Sequence, residues 1–231
     1  PEYNGNIEGA VWKTAGSAVN RKYDYTYDNV NRLTAANFTQ YNGSGFDLSA
    51  GINFTTSNLS YDANGNILTM RQYGFMVGGS NPIDELKYTY QSNSNKLNQV
   101  YDTANNPTSL LGDFHYAGTK GSFDYLYDGN GNQVIDSNKS ISLIHYNYLN
   151  LPYSIVFAGK GYIKYVYDAG GTKLQKITVD NVANKGTFTT YVAGFVYQRT
   201  TTPPTGGGGT DTLQFVRQEE GSVRWAWHKD R

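Results

Sequence analysis

Short alternating runs of apolar and polar residues, each broken by glycine or asparagine, dominate this chain. In "YIKYVYD" at 162–168, Ile163, Tyr165 and Tyr167 fall on one face of an extended strand, and Tyr162, Lys164 and Val166 on the other. Both faces mix polar and apolar groups. A period of two, punctuated by residues that tolerate tight turns, predicts β-hairpins following one another.

The hairpins repeat. "YTYDNVNRL" at 25–33, "LSYDANGNIL" at 59–68, "YLYDGNGNQV" at 125–134 and "YVYDAGGTKL" at 165–174 share one plan. A strand-like lead ends in Tyr-Asp, a Gly/Asn segment follows, and a second strand-like run begins. Weaker copies are "YTYQSNSNKL" at 88–97 and "HYNYLNLPYSI" at 145–155, and a truncated one, "YNGNI", opens at Tyr3. Taking Tyr27, Tyr61, Tyr90, Tyr127, Tyr148 and Tyr167 as anchors gives spacings of 34, 29, 37, 21 and 19 residues. The longer intervals hold insertions such as "QYNGSGFDLSAG" at 40–51.

Four residues after the anchor come Asn31, Gly65, Gly131 and Gly171, the residue types that accept positive φ at least cost. The aspartate after the tyrosine (Asp28, Asp62, Asp128 or Asp168) is placed to accept from the turn's own backbone N–H groups. "DGNGN" at 128–132 also has the alternate spacing of the first ligands of a calcium loop. It offers one carboxylate where such loops need several. A structural turn is the expectation, with weak calcium binding as its rival.

Composition sharpens this picture. Of 231 residues, 21 are Tyr, 10 Phe and 26 Gly, and the mean hydropathy is −0.58. Tyrosine suits sheets in which the ring packs while the hydroxyl stays wet, so sheets wetted on both faces are expected rather than one thick oily core. Lys+Arg and Asp+Glu are 19 each, which gives no electrostatic basis for capturing nucleic acid. With no cysteine, disulfides and thiolate metal sites are excluded. No apolar run approaches the roughly 18 residues of a membrane helix. The start at Pro1 is read as that of a piece processed or excised from a longer protein.

The Tyr-Asp-x-x-Gly-Asn/Arg-Leu unit, matched by Tyr27-Asp28 to Leu33, Tyr61-Asp62 to Gly65-Asn66-Ile67 and Tyr127-Asp128 to Gly131-Asn132, resembles the hallmark of the YD-repeat, or RHS-repeat, proteins. The resemblance covers most of the chain. "YVAGFVYQRT" at 191–200 and "LQFVRQEEGSVR" at 213–224 are similar to the segment before the core-associated end of bacterial RHS proteins. The resemblance implies an all-β fold of antiparallel hairpins coiled into a spiral strip, part of a hollow shell. Such shells enclose toxic domains in polymorphic toxins and insecticidal toxin complexes, and serve adhesion in teneurins. It also implies a repeat strip over 1–186 and C-terminal strands over 187–231 in the same continuous sheet, with a loop at 201–211. The chain stops at "WAWHKDR" and carries no Asp-Pro-rich self-cleavage motif, so neither self-cleavage nor toxicity is carried over.

Candidate chemistry is sparse. His115, His145 and His228 fall in no zinc-binding pattern, and "TGGGGT" at 205–210 lacks the Gly-Lys-Ser/Thr of a phosphate loop. Glu219 and Glu220 are neighbours that point to opposite faces of a strand, unlike a glycosidase pair. Trp225 and Trp227 share one face of a terminal strand. The expected role is therefore non-enzymatic, without cofactor or metal. The resemblance implies a structural segment of a secreted or cell-surface bacterial protein, enclosing or presenting a cargo domain. Its partners are the remainder of a longer parent chain or a companion protein, with no nucleic acid and no membrane insertion. The rival is a carbohydrate-binding adhesin module that stacks glycan on ladders drawn from Tyr125, Tyr146, Tyr148 and Tyr165.

Overall fold

The structure, a computed structural model, describes residues 4–76, 78–105, 111–116, 120–204 and 208–224. Every regular element among them is a β-strand, and every pairing is antiparallel. Two compact units divide between Phe123 and Asp124.

The first unit holds β1 (Gly9–Trp12), β2 (Arg21–Tyr27), β3 (Leu33–Tyr41), β4 (Phe46–Asp47), β5 (Thr56–Tyr61), β6 (Ile67–Met76), β7 (Gly79–Tyr90) and β8 (Leu97–Asp102). They form one sheet in the order β1-β2-β3-β5-β6-β7-β8, with β4 folded back on β3. That short hairpin pairs Gln40 with Asp47 and Tyr41 with Phe46, and so accommodates the insertion at 40–51 without interrupting the strand order. The buried apolar side chains are Ala36, Phe38, Ile83, Leu86 and Val100. Around Phe38 the rings of Tyr23, Phe54 and Trp12 lie 5.6, 5.3 and 6.2 Å away.

The second unit holds β9 (Tyr125–Tyr127), β10 (Gln133–Asp136), β11 (Ile141–Tyr146), β12 (Pro152–Phe157), β13 (Gly161–Tyr167), β14 (Lys173–Asp180), β15 (Lys185–Val192), β16 (Phe195–Thr201), β17 (Thr212–Gln218) and β18 (Gly221–Arg224). They meander in chain order from β9 to β18. Among the described residues, only Val179 and Val196 are fully buried apolar side chains here. Ten strands around two buried aliphatics match a sheet wetted on both faces. Its cohesion comes from ladder hydrogen bonds and cross-strand pairs rather than from a thick core.

The all-β hairpin architecture is the one the alternating pattern predicts. The divisions differ. Position 187 lies inside β15, and the pairing of β14, β15 and β16 runs through it without a break. The chain instead divides near 123, and its strands form two sheets. The stretch from 103 to 124 contributes no strand among its described residues. Thr201, the first residue of the expected loop at 201–211, is the last residue of β16, and β17 begins at Thr212. Tyr3, Trp225, Trp227, His228 and residues 205–207 of the glycine run lie outside the described residues.

Candidate functional site

The repeated turns are the recurrent geometry of the chain. In each, the anchor tyrosine pairs across the hairpin with a residue six positions on, and a one-residue register shift lies just inside that pair. The pairs are Tyr27 with Leu33, Tyr61 with Ile67, Tyr127 with Gln133 and Tyr167 with Lys173. In the longer turn after β7, Tyr90 pairs with Leu97. The bulge re-aims the chain so that a five-residue turn closes each hairpin.

The aspartate organises this turn from inside. Oδ1 of Asp128 accepts from the N–H groups of Asn130 and Asn132, both at 2.9 Å, and Oδ2 accepts the Asn132 side-chain amide at 3.0 Å. Asp62 does the same with Asn64 and Asn66, and Asp28 with Val30 and Arg32, the Arg32 Nε reaching Oδ2 at 2.7 Å. Asp168 accepts from Gly170 and Thr172. All four carboxyls are held below the ordinary aspartate pKa. The main cause is the backbone N–H of Arg32 at Asp28, the side-chain amides of Asn66 and Asn132 at Asp62 and Asp128, and the backbone N–H of Thr172 at Asp168. Both oxygens of Asp128 already face donors, and the asparagines of this loop turn N–H groups rather than oxygens toward their neighbours. That is the hydrogen bonding of a turn, not the converging oxygens of a calcium loop.

The slot four residues past the tyrosine is left-handed, with φ of 65° at Asn31, 88° at Gly65, 90° at Gly131 and 88° at Gly171. Gly131→Val forces a β-branched residue into that conformation. It is expected to cost about 1 kcal/mol or more, and unchanged melting would contradict the turn assignment.

At five turns the tyrosine hydroxyl ties the hairpin to the preceding one. Tyr27 donates to Ile7 O at 2.8 Å, Tyr61 to Leu33 O at 2.7 Å, Tyr90 to Ile67 O at 2.8 Å and Tyr167 to Pro152 O at 3.0 Å. The fifth tie corrects the repeat. Tyr146, not Tyr148, donates to Gln133 O at 2.7 Å and pairs with Pro152, and Asn147 takes the aspartate's place by accepting from Leu149 and Leu151. The left-handed residue of this turn is Asn150, at φ 56°. In the truncated first copy, Gly5 (φ 90°) and Ile7 stand where Gly65 and Ile67 stand.

The four tyrosines considered for ligand stacking are not brought together. No ring contact among the described residues joins Tyr125, Tyr146, Tyr148 and Tyr165 to one another. Tyr125 Oη accepts from Asn138 at 3.1 Å, and Tyr148, whose ring is 79% exposed, donates to Ala169 O at 2.9 Å. Tyr165 packs against Tyr167 and lies under the Lys173 ammonium, 4.8 Å from the ring centre. Burial raises the pKa of Tyr125, Tyr146, Tyr165 and Tyr167, which keeps their hydroxyls protonated.

Sequence reasoning missed a set of buried carboxylates. Asp102 accepts from the N–H groups of Glu85, Ala104 and Asn105 at 2.8, 2.9 and 2.7 Å, and Asp84 from that of Phe114 at 2.7 Å. These side chains pin the loops after β8 to the sheet. Burial, followed by the nearby Asp102 and Asp113 carboxylates, raises the pKa of Asp84 against the opposing pull of the Phe114 N–H. A raised folded pKa means tighter proton binding in the fold. This contribution to stability is therefore full below the ordinary aspartate range and is lost as pH rises through the raised value. Asp84→Asn keeps an acceptor for Phe114 and does not ionise. Its melting temperature is expected to gain on wild type as pH rises from about 3 to about 7; parallel profiles would contradict this. Among the described residues, no group of three or more His, Asp or Glu side chains is arranged to hold a metal ion.

No protein-family model and no curated protein matches the chain. Among solved structures, it is similar to a chain of the crystal structure of TcdB2-TccC3-Cdc42, at 11% identity and a TM-score of 0.28. The match covers 90% of this chain and 15% of that one. A likeness this slight assigns no family.

Proposed function

We propose that this chain is a structural segment of a secreted or cell-surface bacterial protein of the YD-repeat kind. Hairpin is laid beside hairpin to form part of a coiled wall around a cargo domain or companion polypeptide, and the segment performs no catalysis. The observation that carries this reading is what the recurring residues do. The aspartate closes its own turn, the left-handed Gly or Asn shapes it, and the tyrosine hydroxyl reaches back to the carbonyl of the preceding hairpin. The repeated positions are thus spent on adding one hairpin to the next, with none left directed at a substrate. A second unit with two buried aliphatics and many half-exposed tyrosines suits a sheet continued laterally by more protein.

The test is native mass determination of the protein purified from its source under mild cross-linking. A longer polypeptide or a tightly held companion is expected. A free monomer of 25.6 kDa that binds glycans on an array, with binding lost in Tyr148→Ala, would replace the wall with the adhesin reading.

A further inference from the structure

Neighbouring turns also meet through asparagine side chains. The Nδ2 groups of Asn130 and Asn132 both donate to Oδ1 of Asn150 in the next turn, at 3.1 and 2.9 Å. Asn64 and Asn66 both donate to Oδ1 of Asn95, at 3.0 and 2.9 Å. Asn4 and Asn6 both donate to Oδ1 of Asn31, at 2.7 and 3.1 Å. Three times, two amides two residues apart clasp a single carbonyl oxygen across 18 to 31 residues of sequence.

Where the pair is not Asn-x-Asn, the receiving slot is glycine. Val30 and Arg32 precede the turn of Gly65, and there the Arg32 Nη1 donates to the Asp62 carbonyl at 3.0 Å while the guanidinium lies over the Tyr61 ring. Leu149 and Leu151 precede the turn of Gly171. A Cβ on Gly171 would stand 3.0 Å from Leu151 Cδ1 and 3.3 Å from Leu149 Cδ1, so an asparagine there would press on the ends of both leucines, whereas a Cβ on Gly65 would meet nothing within 4 Å.

We infer that these positions form a lateral address. An Asn-x-Asn turn fits a neighbour whose turn offers an asparagine oxygen, and an aliphatic or arginine pair fits a neighbour whose slot is glycine. The tyrosine ties bind any hairpin to the one before it, since they use only backbone carbonyls. The asparagine clasps distinguish which hairpin belongs there, because an unmatched pair leaves two amide donors without their acceptor or, at the Gly171 turn, presses a side chain against the leucine pair. The inference deepens the wall reading by naming what orders its hairpins.

Hydrogen exchange on the 231-residue chain tests it. Asn150→Gly and Asn130→Ala are each expected to speed exchange at the Leu149 and Leu151 amides by roughly three- to tenfold. The double variant should be no faster than Asn150→Gly alone, because Asn150→Gly already removes the one bond that Asn130→Ala removes. Gly171→Asn should speed exchange at Thr172, and adding Leu149→Asn and Leu151→Asn should restore it. Independent multiplication of the two single effects, or no rescue in the triple variant, would overturn the address. These readouts are internal to the chain, so their failure leaves the wall reading standing, and the absence of any companion protein would leave the clasps intact.

Discussion

Phe38→Ala is expected to cost the first unit about 3–5 kcal/mol. Phe38 is 1% exposed and lies edge-on to both Tyr23 and Phe54, with Trp12 beyond. Few other apolar side chains in this sheet are buried, so the cavity has little neighbouring material to collapse into it. A domain of this size has a total stability of about 5–15 kcal/mol, so the loss is a large part of the whole. Phe54→Ala removes a ring that is 40% exposed and should cost much less. Thermal melting of the two variants checks both statements. A Phe38→Ala melting temperature close to wild type would mean that the unit does not depend on this aromatic cluster.

The second large effect is at Gly161, the first residue of β13. It pairs with Asp180 and has a φ of 131°, which L side chains rarely adopt. A Cβ there would run into the carbonyl oxygen of Val179, a backbone atom that cannot swing aside without breaking the β13–β14 ladder. Backbone strain of about 1–3 kcal/mol and overpacking of about 1–3 kcal/mol add, so Gly161→Ala should lose roughly 2–6 kcal/mol. Gly159, two residues earlier, separates the causes. Its φ is 70°, but nothing lies within 4 Å of its would-be Cβ. Gly159→Ala should show the strain alone and cost about 1 kcal/mol. Equal melting of the two variants would contradict the collision.

Much of the fold was legible because the repeat states its turns chemically. An aspartate followed three residues later by glycine or asparagine can do little at a strand end except close a hairpin, and the four best copies do so with one hydrogen-bond pattern. The copy at 145–155 was misread because Tyr146 and Tyr148 share a strand face and look alike in an alternating pattern. The slot rule would have decided it. Four residues after Tyr148 comes Pro152, whose ring forbids positive φ, whereas four after Tyr146 comes Asn150. The boundary between Phe123 and Asp124 falls in no turn of the repeat, so the alternating pattern carries no mark of it. The buried aspartates were hidden for a different reason. Asp84 and Asp102 stand in strands like any solvent-facing polar residue, and only the folded loops supply the N–H groups they accept from. The asparagine clasps were hidden by distance, because their partners lie one repeat apart and each asparagine alone reads as turn chemistry.

The most direct test of the wall is electron cryomicroscopy of the native particle. The account predicts strands laid in register beside at least one of the outermost strands β1, β8, β9 and β18, and polypeptide density covering one face of the sheets. Sheets that stand free, with those strands open to solvent and neither face covered, would contradict it.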